Sequence, residues 1–457
     1  MNGVLYFQAW TYEHGAELWK TDGTVAGTVR VKDILSGRSD SGPANLTNVG
    51  GTLYFTANDG IQGVELWKSD GTAAGTVRVK DITPGTTGTA FSNLMDVAGT
   101  LYFTANDGTH GVELWKSDGT EAGTVLVKDL VPGSGTASPT ELTAVGNRLA
   151  FIANHPSTGE EVWWSDGTEA GTRVLKDIIG PNAGSAPGPL TPLNGALLFY
   201  AEDGVHGREL WRTDGTEAGT VLVKDINPGV DDSLDVTDTY LWQVLGKNLL
   251  FMAYDPTRST SLWKTDGTAE GTVPLKTVTT GYNGSLAGLV AEMGGALYFG
   301  GYGATGGREL WKTDGTVAGT VLVRDINPAD SGLGESNLVA LNGVLYFAGN
   351  DGTTASEPWR SDGTAAGTYL LKDLTDAYSG SRPNSFIVVN GRLYFVAETT
   401  LNGRELWKSD GTAAGTVMVR DLRPGSGSAM PSSLLSMGGT LYFTATEDQY
   451  GTELWKT

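Results

Sequence analysis

The chain has 457 residues, a formal net charge of −21 and no cysteine. An acidic chain without a basic run excludes nucleic acid and anionic membrane surfaces as expected partners, and without cysteine there is neither a disulfide framework nor a thiolate metal site. No apolar run approaches the roughly 20 residues of a membrane helix, whereas 39% hydrophobic residues and 66 glycines suit a turn-rich globular fold.

The first predicted element is a hairpin over residues 4–20. Met1-Asn2-Gly3 runs straight into Val4-Leu5-Tyr6-Phe7 with no visible signal peptide, and a cytoplasmic protein or a piece of a longer array are both readings of that start. Residues 28–33 follow as a further strand. From there the chain repeats itself. Tryptophans fall at Trp19, Trp67, Trp115, Trp163, Trp211, Trp263, Trp311, Trp359, Trp407 and Trp455, 48 residues apart in every case but one, which is 52. Units of this size cannot close a core alone and must stack on their neighbours.

The unit at 94–129 is typical. Leu94-Met95-Asp96-Val97 is a short apolar segment that turns at Ala98-Gly99 into the β-rich run Thr100-Leu101-Tyr102-Phe103-Thr104-Ala105. Asn106-Asp107-Gly108 opens a turn whose residues tolerate positive φ. Val112-Glu113-Leu114-Trp115-Lys116 alternates, with Glu113 and Trp115 on one face and Leu114 and Lys116 on the other. Asp118-Gly119-Thr120 is a second turn signal, residues 124–129 are a fourth strand, and a loop with Pro132-Gly133 leads to the next unit. Four short strands per repeat and no helical periodicity predict an all-β fold, a β-propeller of four-stranded blades. The strand order resembles kelch repeats, and by that analogy 94–97 is innermost and 124–129 outermost.

Inner-strand candidates start at Leu46, Leu94, Leu142, Leu190, Trp242, Val290, Leu338, Phe386 and Leu434, and the outermost type also occurs nine times. The expectation is one domain over 1–457, a ring of nine blades closed by pairing 28–33 with 434–456. Hairpin 1–20 is then surplus, free to cap, swap or pair with another chain through its edge. Ten blades, or an open ring completed by a neighbour, is the alternative.

The unit around Trp263 is the most divergent. It carries the four-residue insertion within 229–241, Ser261 in place of the motif glutamate, Pro274 in the fourth strand, Thr277 in place of the usual aspartate, and the turn Asp255-Pro256-Thr257-Arg258. Elsewhere Pro358 replaces the motif leucine, Trp163-Trp164 doubles the aromatic, and the first hairpin turns through Trp10-Thr11-Tyr12-Glu13. Unique loops on a repeated scaffold are where specific function is added.

The recurring Trp is expected in the core between blades and not as a stacking platform, because packing explains recurrence better than binding. The motif glutamates Glu17, Glu65, Glu113, Glu161, Glu209, Glu309, Glu357, Glu405 and Glu453 share the Trp face and need partners if buried; Lys80, Lys128 and their equivalents are the expected ones. Asp70-Gly71-Thr72 and its copies read as Asx turns. Each supplies one carboxylate where calcium needs several, so calcium stays an alternative cofactor and the metal content unknown. His14, His110, His155 and His206 lie at equivalent turns of separate repeats and form no metal triad. There is no nucleophile elbow, phosphate loop or dinucleotide fingerprint.

The motif in residues 65–72, 113–120 and 405–412 closely resembles the bacterial ELWxxDGT repeat, found in tandem in large secreted or surface-attached proteins. The resemblance covers essentially the whole chain. It implies a propeller-like domain of an extracellular or cell-surface bacterial protein and no catalytic residues. The functional expectation is a non-enzymatic binding or structural module with a protein or glycan partner, together with self-association through the terminal hairpin. The alternatives are a multivalent lectin and an enzyme at the channel mouth, the latter using Asp231-Asp232 with Asp235 and Asp238.

Overall fold

The computed structural model describes the chain except residues 235–240, 258, 279–288, 303–306 and 376–379 and the side chain of Ser259. Every regular element among the described residues is a strand, and no helix among them is long and apolar enough to cross a membrane. The fold is an all-β propeller of four-stranded blades. The chain divides into two compact units, Met1–Asp232 and Ser233–Thr457, and each holds five consecutive sheets.

In the first unit, the first sheet contains β1 (Leu5–Thr11), β2 (Gly15–Thr21) and β3 (Val29–Lys32). The second contains β4 (Ala44–Val49), β5 (Thr52–Asn58), β6 (Val64–Ser69) and β7 (Val77–Lys80) in that spatial order. Neighbours in sequence pair antiparallel, so every blade is a meander of local hairpins. β5 shows why the sequence does this. Leu53, Phe55 and Ala57 point to one face, Tyr54 and Thr56 to the other, and all are buried because a sheet stacks on each side.

The core therefore lies between blades. Leu53, Phe55, Ala57 and Trp67 of the second sheet cluster with Leu18, Val31 and Ile34 of the first. Leu101, Phe103, Ala105 and Trp115 repeat the arrangement against Leu66, Val79 and Ile82. In the second unit Leu393, Phe395, Ala397 and Trp407 cluster with Tyr346 and Leu371. Each Trp faces a Phe across the hairpin, as in the Phe55–Trp67 pair with ring centroids 6.5 Å apart. Trp19 and Trp455, in the first and last sheets, are only half-buried.

The nine-blade expectation is corrected to the alternative count of ten. It rested on pairing residues 28–33 with the C-terminal strands. In the structure β3 pairs with β2, Leu18 opposite Lys32 and Lys20 opposite Val29, so the hairpin at 1–20 is the middle of a first blade. The last sheet, Ser432–Met437, Thr440–Glu447 and Gly451–Lys456, has three strands. The physical reason is loop closure. The turn at 22–28 brings β3 onto β2 locally, with the same Thr21–Thr28 hydroxyl contact of 2.7 Å seen in the other blades, and short loops close at lower entropic cost than the whole chain.

Lysines stitch blade to blade. Lys32 Nζ donates to Thr76 O at 2.7 Å, Lys80 to Thr124 O at 2.9 Å, Lys128 to Thr172 O at 2.8 Å and Lys372 to Thr416 O at 2.7 Å. Trp164 fills in where the pattern breaks. It pairs with Ala150, which stands at the usual tyrosine position, and its indole lies against Gly215 of the following blade.

Candidate functional site

The motif glutamate is fully buried in Glu17, Glu65, Glu113, Glu161, Glu209, Glu357 and Glu405 and nearly so in Glu309, while Glu453 is exposed. Its partners are not the expected lysines, which bind the next blade instead. Glu65 accepts from the backbone of Ile82 at 2.9 Å and Thr83 at 3.4 Å and from the Thr89 hydroxyl at 3.0 Å. Glu17 takes Ile34, Leu35 and Ser41 in the same way, and Glu357 takes Leu374 and Ser381. The carboxyl gathers the donors of the loop that carries the chain to the next blade, groups that burial would otherwise leave unsatisfied. Burial pushes Glu65, Glu113, Glu161, Glu309 and Glu405 up to about 7 against the lowering effect of these hydrogen bonds. A signal for this clamp was present in the sequence: a hydroxyl recurs 24 residues after the glutamate at Ser41, Thr89, Ser185 and Ser381.

The Asx-turn expectation matches the geometry. Asp70 Oδ1 accepts from the Thr72 amide and hydroxyl, both at 2.8 Å, and Gly75 N donates to Thr72 Oγ1 at 2.9 Å. The Thr72 donors hold the Asp70 carboxyl below its ordinary range. A Cβ on Gly75 would lie 2.1 Å from Asp70 Oδ1, so the turn excludes any side chain there.

The turns between second and third strands are where blades differ. His14 sits 3.2 Å from Asp33, His110 Nδ1 lies 2.7 Å from Asp107 Oδ2, and His206 Nδ1 lies 2.7 Å from Asp203 Oδ2. His155 meets Ser157. Each histidine is held within its own turn or blade, so the four do not converge. The aspartate hydrogen bonds raise His110 and His206 above the ordinary histidine value. The same turns and the strand ends beside them carry exposed apolar side chains: Trp10 and Tyr12 at 63% exposure, Ile61 at 72%, Leu401 at 77% and Tyr450 at 64%. Arg38 lies over the Tyr12 ring, 4.1 Å from its centroid.

Of the acidic loop, Asp232 accepts from the Arg208 backbone at 2.7 Å and faces its guanidinium at 3.5 Å. Asn227 Nδ2 donates to the carbonyls of Asp231 and Asp232. Asp235 and Asp238 lie outside the described residues, as does Arg258 of the divergent turn. Among the described residues no group of three or more His, Asp or Glu side chains is placed to hold a metal ion. Open grooves lie between blades of the second unit. One, of about 400 Å³, is lined by Asp373, Thr399, Leu401, Asn402 and Trp407. Another, of about 500 Å³, is lined by Met293, Tyr298, Lys312, Asp314 and Asp362 at the opposite blade ends.

No protein-family model matches the chain, and neither does any curated protein sequence. Solved structures that match include a puromycin-hydrolyzing peptidase of Mycobacterium tuberculosis, 13% identical with a TM-score of 0.35 over 78% of this chain and 58% of that one. A puromycin hydrolase matches at 14% identity and a TM-score of 0.32, over 89% of this chain and 58% of that one. A prolyl endopeptidase matches at 13% and 0.34, over 78% and 53%. The chain spans little more than half the length of these proteins, and the likeness carries no assignment of activity.

Proposed function

We propose that the protein is a non-enzymatic binding module, a rigid propeller scaffold that presents its variable turns to a protein or glycan partner. One observation carries this reading. The recurring motif side chains are engaged inside the scaffold, whereas the turns between second and third strands differ from blade to blade and expose Trp10, Tyr12, Ile61, Leu401 and Tyr450. Carboxyls with upward-shifted pKa values recur from blade to blade and anchor loops, which supports a structural role for them over a single asymmetric catalytic centre. The motif's resemblance to ELWxxDGT repeats supports an extracellular or cell-surface setting in bacteria.

A lectin is the more specific version of this reading. Exposed Trp10 and Tyr12, with Arg38 stacked on the tyrosine, offer an aromatic face and a fixed donor, the combination that sugar rings pack against. The test is a glycan panel probed with the protein and with Trp10→Ala/Tyr12→Ala. Binding that falls at least tenfold in the double variant supports the lectin. Binding untouched by that variant and by Leu401→Ala/Tyr450→Ala overturns the assignment to these turns. An empty panel, with self-association by light scattering that these variants weaken, moves the reading to protein assembly.

A further inference from the structure

Six of the motif glutamates have a second carboxylate beside them. Strand register fixes the pair. Leu66 stands opposite Lys80, so Glu65 and Asp81 are the next residues along the two chain segments, Asp81 just past the end of β7. The same register places Glu17 by Asp33, Glu113 by Asp129, Glu209 by Asp225, Glu309 by Asp325 and Glu405 by Asp421. Side chains at such positions are roughly 5 Å apart at Cβ.

The aspartate has an unmet need. Oδ1 of Asp33, Asp81, Asp129, Asp225, Asp325 and Asp421 is buried and accepts no hydrogen bond, an arrangement that burial penalises. The other oxygen is served where a partner exists: Gln62 reaches Asp81 Oδ2 and Asn402 reaches Asp421 Oδ2 at 2.9 Å.

The divergent blade replaces both members together. Leu262 pairs with Lys276, which puts Ser261 and Thr277 at the two carboxyl positions. Two neutral hydroxyl residues stand in for two acids, and the sheet forms with the same strand order. Joint replacement is what an interacting pair predicts.

We infer that each of these six Glu–Asp pairs holds one shared proton, donated by the glutamic acid to the orphaned Asp Oδ1, and acts as an acid-set clamp on the loop crossing to the next blade. No atom but the proton moves: losing it leaves two carboxylates facing each other, which repel and loosen the loop. Burial of the glutamate and the neighbouring aspartate both act to retain the proton at Glu65, Glu113, Glu309 and Glu405.

At Glu17 and Asp33, Arg30 and His14 each lie 3.2 Å from Asp33 Oδ2. Around Glu65 and Asp81, Arg78 is ion-paired with Asp59 at 3.1 Å and Lys80 is turned to Thr124 O. The crossing loop 82–90 contains no titratable side chain. The next blade's turn carries Asp107, held by His110. Around Glu113 and Asp129 the facing groups are His110, Asp107 and Lys128, the last turned to Thr172 O.

The test is infrared spectroscopy of the full chain at pH 6 and pH 9, together with denaturant unfolding and amide exchange across that range. At pH 6 we expect a protonated-carboxyl C=O band that is gone at pH 9 and weakens stepwise as pairs are replaced, beginning with Glu65→Ser/Asp81→Thr, a combination this fold already accommodates. Exchange at Ile82 and Thr83, corrected for its intrinsic pH dependence, speeds up about tenfold for each pKa unit of coupling lost. Absence of the band at pH 6, or a band indifferent to replacing the pairs, overturns the inference. So does a calcium-dependent rise in stability at pH 8 that pair replacement abolishes, because a cation would then occupy the orphaned oxygen. If the replaced chain does not fold, Asp81→Asn decides in its place: losing the charged neighbour should move part of the band's disappearance to lower pH, and an unshifted band overturns the inference.

Discussion

Gly119 of the third blade and Tyr54 of the second occupy complementary space: a Cβ built on Gly119 would lie 2.3 Å from the Tyr54 hydroxyl oxygen. The same relation joins Tyr6 to Gly71, Tyr102 to Gly167, Tyr298 to Gly363 and Tyr346 to Gly411. The glycine of the turn is thus required twice, once by its φ of +86° and once by the tyrosine from the preceding blade. Gly119→Ala is expected to destabilise by about 1–3 kcal/mol. Adding Tyr54→Phe should restore part of that loss, and a double-mutant cycle by urea unfolding checks it. Additive effects would mean that backbone strain alone sets the glycine.

Glu65→Ala removes the acceptor for three loop donors and should lower stability by about 1–3 kcal/mol, through the desolvation of the unmatched groups. Glu65→Gln retains one acceptor oxygen and should lose less. Amide exchange localises the effect: protection at Ile82 and Thr83 should drop while the Trp67 amide stays protected. Uniform loss across the blade would contradict the clamp.

Position along the array should scale the value of the tryptophan. Trp67 is buried between two blades, and Trp67→Ala should cost about 3–5 kcal/mol. Trp455 lies half-buried in the last sheet, and Trp455→Ala should cost less than half as much. Equal costs in thermal unfolding would argue that the last sheet is packed as tightly as the inner ones.

The histidine pairs predict a surface titration. Asp107 raises His110, and His110 in turn is one of the donors that lower Asp107. The histidine contribution is fully present below its unfolded pKa and is lost as pH rises through the raised folded value. The aspartate contribution is present above its unfolded pKa and is lost as pH falls through the lowered folded value. NMR titration should place His110 above the ordinary histidine value, and Asp107→Asn should return it there while His206 keeps its raised value.

For the glutamates the sign is single. Their folded pKa values, about 7 in Glu65, Glu113, Glu161, Glu309 and Glu405, exceed the ordinary 4.5. Folding therefore takes up protons, and the stability they contribute is complete below the ordinary value and disappears as pH rises through about 7. The midpoint of urea unfolding should be higher at pH 5 than at pH 8, and Glu65→Gln should flatten that slope.

Much was written in the sequence because each repeat is local. Strand alternation, Asp-Gly-Thr turns and the 48-residue interval all act over a few residues or between adjacent units, so they specified four-stranded blades, an interblade Trp and the Asx turns without tertiary information. The nine inner-strand positions recur as strands, from Ala44–Val49 to Ser432–Met437. Contacts between side chains far apart in sequence were decided otherwise. Glu65 and Lys80 have opposite charges and a plausible spacing, yet Glu65 binds Ile82, Thr83 and Thr89 while Lys80 binds Thr124. Charge suggests a pair, but which buried donor lacks a partner is settled only once the loop is folded. The blade count followed the same division. Strand types could be counted along the chain, whereas the choice between β3 joining β2 or the far terminus rested on loop closure and on hydroxyl contacts that exist only in the folded turn.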